Sequence, residues 1–210
     1  MDCSYWFISD FYIPDFYSEF EKKYPELGKK NPKSPFDLLY NSEIGKIARI
    51  LDFSLKDRTT NVVKMLKFMM KAKSPIDILE ENINTKQILK RYNEINSKYQ
   101  KLIKKSREYI GDKMIYFQYS GDLSLSSNLA NQLIDEFPDK IVVVVYSKGD
   151  SVNISLRGTS VNIREITLKA IKGLESAKAG GHEHACGGKM NIDDSKEFEK
   201  RFKKIVDSMD

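Results

Sequence analysis

The sequence is poor in the residues that most often announce chemistry. It holds two cysteines, Cys3 and Cys186, and two histidines in 210 residues. Two cysteines do not make a disulfide framework and fit a reducing, cytoplasmic setting. Both histidines lie in one short segment, which leaves no separate Ser-His-Asp or Cys-His arrangement to propose. Prolines are few, at six, and the composition does not suggest global disorder. No apolar run reaches the ~18 residues of a membrane span. No basic region precedes the first apolar residues, which argues against a signal peptide. No internal repeat is visible.

What is present is ordinary globular composition, 40% hydrophobic and 31% charged, long enough for one or two domains with a real core. The net charge of +5 fits nucleic-acid binding but is too mild to establish it. Cys3 to Ser9 reads as a buried strand ended by Asp10. A buried-type strand this early suggests that part of a domain precedes it, and the reading here is of a truncated or split protein. Helices are expected from Pro14 to about Tyr24, from Ser42 to Phe53 and from Thr60 to Ala72, with a proline-rich loop from Pro25 to Pro35. The apolar residues of the third helix cover more than one face, so it should be well buried.

Thr85 to Tyr109 is the longest helical pattern. Ile88, Tyr92, Ile95, Tyr99, Leu102 and Tyr109 form a narrow heptad-like seam. Lys86, Lys90, Arg91, Lys98, Lys101, Lys104, Lys105 and Arg107 make a basic stripe beside it, either a solvated linker face or a nucleic-acid contact. Gly111-Asp112 marks a boundary. Beyond it the order is strand, helix, a β-branched strand (Ile141 to Tyr146), an alternating strand (Ser151 to Arg157), a helix, a glycine-rich loop, a short strand near Lys189 and a terminal helix. The expected architecture is α/β: the remnant end of a preceding domain plus a helical connector over 1–110, then a compact α/β domain with a mixed sheet over 111–210.

Three groups of residues could carry chemistry. Gly180-Gly181-His182-Glu183-His184-Ala185-Cys186-Gly187-Gly188 sets both histidines between two glycine pairs. Glycines let a ligand approach the main chain, and an imidazole can donate to a phosphate oxygen, so the segment reads as an anion cradle. A zinc ladder of His182, His184 and Cys186 competes, but a closed zinc site takes four ligands and no second cluster supplies them. Ser155 and Arg157 share the polar face of one strand, where a hydroxyl and a guanidinium can hold a phosphate. Asp10 and Asp15 flank the end of the first strand, a position suited to Mg²⁺ or Mn²⁺.

These residues resemble a known family. The segment Gly180 to Gly188 looks like the GGHxxAxG signature of the DHH-associated C-terminal domain. That domain occurs in RecJ-type exonucleases, oligoribonuclease and nucleotide phosphatases of the DHH superfamily, and in variant form at the end of alanyl-tRNA synthetase. Ile154-Ser155-Leu156-Arg157-Gly158 resembles the SxR segment of the same domain. The form GGHEHACGG is most similar to archaeal phosphoesterase-like members.

The resemblance covers about residues 111–210. It implies phosphate binding by Gly180, Gly181, His182, His184, Gly187, Gly188, Ser155 and Arg157. Ile8-Ser9-Asp10 is similar to the end of the catalytic DHH domain, which makes Asp10 the candidate ligand of a Mn²⁺ or Mg²⁺ pair. The Asp-His-His motif and the earlier aspartate motifs are absent from the sequence, so a two-metal site cannot be assembled from it. The resemblance therefore implies the nucleic-acid-binding C-terminal part of a RecJ-like phosphoesterase, hydrolysing phosphodiesters only with a Mn-binding domain that this sequence lacks. The alternative is a non-catalytic RecJ-like scaffold of the archaeal replisome that binds a protein partner. Expected partners are single-stranded nucleic acid or an oligonucleotide, with no membrane.

Overall fold

A computed structural model describes residues 12–209. The expected strand from Cys3 to Ser9 and the candidate ligand Asp10 lie outside the described residues. The chain divides into two compact units, Met1–Lys98 and Tyr99–Asp210.

Helices build the first unit: α1 (Tyr17–Lys23), α2 (Pro35–Asn41), α3 (Glu43–Ser54), α4 (Thr59–Met69), a 3₁₀ turn at Pro75–Ile78 and the start of α5 (Lys86–Ser106). The segment reads as loop only up to Pro35, where α2 begins. Its start was written in the sequence as a serine cap with proline in the first turn: the Ser34 hydroxyl accepts from the Asp37 N–H at 3.0 Å. In α3 the expected face is buried, with Ile44 and Ile47 fully covered. The expectation for α4 is corrected. Only Met65 and Met69 are buried, four residues apart on one stripe, while Val63, Leu66 and Met70 stay exposed. In α5 the seam holds at Ile88, Tyr92, Ile95 and Tyr99, then passes through Ile103 and Ser106 rather than Leu102 and Tyr109. A straight helix turns every 3.6 residues, so its buried stripe drifts away from a strict heptad.

A five-stranded mixed sheet organises the second unit. Its strands are β1 (Met114–Ser120), β2 (Ile141–Lys148), β3 (Ser151–Arg157), β4 (Lys178–His182) and β5 (Ala185–Asn191), in the order β1-β2-β3-β5-β4. β1 and β2 are parallel and joined through α6 (Ser126–Glu136); the remaining pairs are antiparallel. β2 is buried along nearly its whole length, as its run of branched residues requires.

One face of the sheet packs on α7 (Ile163–Ile171) and α8 (Ile192–Asp207). Val143, Val145, Ile154, Leu156, Cys186 and Met190 meet Ile163, Phe198 and Phe202 there. The Phe198 and Phe202 rings lie 5.3 Å apart and are fully buried. Phe202→Ala is expected to cost about 3–5 kcal/mol, measured as a lowered urea midpoint. On the opposite face α6 packs over β2 and β3.

Candidate phosphate-binding site

The glycine-rich segment is not a loop. Its first glycine pair lies in β4 and its second in β5, and the two strands form a hairpin whose two-residue tip is Glu183-His184. The register sets the site out in rows across β3, β5 and β4. Arg157 pairs with Ala185, which pairs with His182. Ser155 pairs with Gly187, which pairs with Gly180. Directly opposed residues, and residues two apart on a strand, point to one face of a sheet. Arg157, Ser155 and His182 therefore share the face that carries α6, and Gly180 and Gly187 leave that face bare beyond the helix.

The fold treats the four glycines differently. A Cβ on Gly181 would lie 2.3 Å from the Ala185 carbonyl oxygen, and the residue has φ +150°. A Cβ on Gly188 would meet Ala179 and Lys178 at 2.9 Å and crowd Ile154. Close packing requires both. A Cβ on Gly180 would meet nothing within 4 Å, and one on Gly187 only the Ile154 carbonyl at 3.6 Å. Packing does not require these two. Their effect is to keep an open shelf beside Ser155 and Arg157.

Side chains from α6 close one side of the shelf. Ser155 is buried and within hydrogen-bonding distance of the Ser126 and Ser127 hydroxyls, at 3.0 and 3.3 Å. The Arg157 Nε donates to Asn131 Oδ1 at 2.7 Å, and its guanidinium also donates to the Leu156 carbonyl at 2.8 Å. Burial pulls the guanidinium below the usual arginine range. Both hydrogen-bond partners are neutral, so no carboxylate offsets this charge among the described residues. A half-buried cation without a counter-ion, on an open polar shelf, suits an anion.

The two histidines separate. His182 ends β4 and is exposed on the shelf row of Arg157. His184 sits at the hairpin tip, where its Nδ1 lies 3.0 Å from the Gly158 carbonyl and its own carbonyl accepts from the Gly158 N–H at 3.2 Å. The Glu183 carbonyl accepts from the Ile163 N–H at 2.8 Å. The tip is thus pinned to the turn after β3, which fixes His182 relative to Arg157. Cys186 faces the opposite way, buried in the core, with its Sγ 3.1 Å from the Gly180 carbonyl. The alternation of the strand therefore breaks up the zinc ladder of His182, His184 and Cys186.

Asn131, Ser126 and Ser127 were missed by sequence reasoning, being 26–29 residues from the side chains they contact. The one signal in the sequence was the cluster of Ser124, Ser126 and Ser127 around the start of α6. Two grooves beside α4 and α5, about 670 and 870 Å³, share Asp57, Asn61, Ile83, Gln87 and Arg91 and mix acidic with basic side chains. Among the described residues no three His, Cys, Asp or Glu side chains form a group that could hold a metal. Asp15 is exposed near the Tyr12 hydroxyl. The described residues do not fit a Mn²⁺ or Mg²⁺ pair. No described helix is long and apolar enough to cross a membrane.

Residues 111–208 match the sequence model of the DHHA1 domain, the DHH-associated domain. The second half of this chain is a DHHA1 domain. No curated protein matches the sequence significantly. Among solved structures, RecJ from Thermus thermophilus in complex with Mg²⁺ aligns with a TM-score of 0.56 at 16% identity, over 80% of this chain and 26% of that one. The DHH domain of a protein assigned to a family of ribosomal proteins gives 0.55 at 17% identity, over 96% and 48%. A pGpG-specific phosphodiesterase from Vibrio cholerae gives 0.52 at 14% identity, over 78% and 58%. At these identities the likeness is one of fold. The chain spans about a quarter of the Thermus RecJ structure and about half of the ribosomal-protein-family structure.

Proposed function

We propose that the DHHA1 domain of this chain binds the phosphate-bearing end of a single-stranded nucleic acid or short oligonucleotide. The observation that carries the reading is the half-buried Arg157, without a carboxylate partner, beside glycines that packing does not require. Arg157 and His182 hold the terminal phosphate, with Ser155, which donates to the Ser126 hydroxyl, forming part of the polar floor. Gly180 and Gly187 let the phosphodiester chain lie against the sheet. Gly181, Gly188 and His184 act on the hairpin itself, keeping it closed and its tip in place. Residues 1–110 serve as the connector and 111–210 as the binding domain.

In a complete DHH phosphoesterase such a lobe holds substrate for metal-assisted hydrolysis in another domain, and positioning of this kind contributes to rate as well as affinity. No hydrolytic step is assigned to the described residues. The test is equilibrium binding of single-stranded DNA and RNA oligomers phosphorylated at the 5′ end, at the 3′ end or at neither. Loss of the preferred terminal phosphate is expected to weaken binding about tenfold or more, and His182→Ala about 2–10-fold. Indifference to both changes would contradict the reading.

A further inference from the structure

A third row crosses the same face. Asn153 pairs with Lys189, and Lys189 pairs with Lys178. Both lysines are exposed. Two like charges directly opposed across a strand pair weaken the sheet. Neither ammonium has a carboxylate partner among the described residues. The folded domain gains nothing evident from this pair, which lies on the bare shelf in line with Arg157 and His182.

The spacing gives the pair a use. Arg157 and Asn153 are four residues apart on β3, and His182 and Lys178 four apart on β4. Four residues of antiparallel strand span about 14 Å, the reach of two internucleotide steps in an extended single strand. Between the two basic rows lies the row of Ser155, Gly187 and Gly180, two of its three positions without a side chain. We infer that Lys178 and Lys189 form a second phosphate anchor, so that the shelf engages an end of three phosphates rather than a mononucleotide. The first phosphate sits at Arg157 and His182, the second crosses the glycine row, and the third reaches the lysines. This inference rests on the phosphate reading of Arg157 and His182, and it adds substrate length to that reading.

Lys178→Gln and Lys189→Gln keep most of the aliphatic stem and remove the charge. The test compares wild type, this double variant and Arg157→Ala in binding to pT, pTpT and pTpTpT and to the same three lengths phosphorylated at the 3′ end. Thermal midpoints are measured alongside. In wild type, affinity should rise most from two phosphates to three. The double variant should lose about tenfold in affinity for the three-phosphate ligand, with a salt slope smaller by about 0.7, and should bind the one-phosphate ligand as wild type does. Its thermal midpoint should be unchanged or higher. If the double variant binds every length as wild type does while Arg157→Ala weakens them all, the second anchor is wrong and the first stands. If neither variant changes binding at any length, both fall. A lowered thermal midpoint with equal loss at every length would make the lysines structural and overturn the anchor.

Discussion

Gly187→Leu is expected to abolish binding of phosphorylated oligonucleotides while leaving the domain folded. Gly187 lies in the middle of β5 with an ordinary backbone conformation, between Ser155 and Gly180 in its row. Its absent Cβ would touch only one carbonyl, at ordinary contact distance. Side chains in a strand interior generally stabilise it relative to glycine. The thermal midpoint should therefore hold or rise slightly, a change of about 0.5 kcal/mol or less. An isobutyl group there would cover the floor of the shelf and keep the phosphodiester chain off the sheet. An affinity loss of about 100-fold or more is expected, comparable with removal of a well-placed charged contact. Calorimetric titration with a scanning melt on the same sample checks both halves. Retained affinity would mean that the ligand does not cross this row.

Gly181→Val should do the reverse and damage the fold itself. Gly181 is one residue from Gly180 in sequence, but it points to the packed side and has φ +150°. A β-branched residue in that conformation costs roughly 1–3 kcal/mol in backbone strain alone. The Cβ would also lie 2.3 Å from the Ala185 carbonyl oxygen, a main-chain atom that can move only if the hairpin opens. Opening it would release the tip from Gly158 and Ile163 and uncover Cys186. The urea midpoint should fall sharply, and amide exchange in β4 and β5 should quicken. The two substitutions together separate glycines kept for a ligand from glycines kept for packing.

Much of the second unit was legible in the sequence. The run Ile141 to Tyr146 could only be a strand covered on both faces, and the alternation from Ser151 to Arg157 told which residues face the core. The glycine segment was misread as a loop because glycines are rare in strand interiors, and sequence alone does not give cross-strand register. That register places Gly180, Gly187 and Ser155 in one row and Lys178 against Lys189. Asn131 and the serines of α6 were out of reach for a similar reason, since only the packing of α6 on β3 brings them to Arg157. In α4, hydrophobic residues were counted without a way to know which stripe meets a neighbour, and Met70 ended exposed at 86%.

The central claim is that Arg157 holds a phosphate. Fluorescence anisotropy with a labelled, end-phosphorylated single strand tests it most directly, comparing wild type with Arg157→Ala over a range of salt concentrations. A hydrogen-bonded charge pair contributes about 1.5–3 kcal/mol, so affinity should fall about 10–100-fold. One lost phosphate contact should also reduce the slope of log affinity against log salt by about 0.7. The loss of Asn131's partner should lower stability by only about 1 kcal/mol, which leaves the variant folded for the measurement. A folded variant with unchanged affinity and unchanged salt slope would contradict the account.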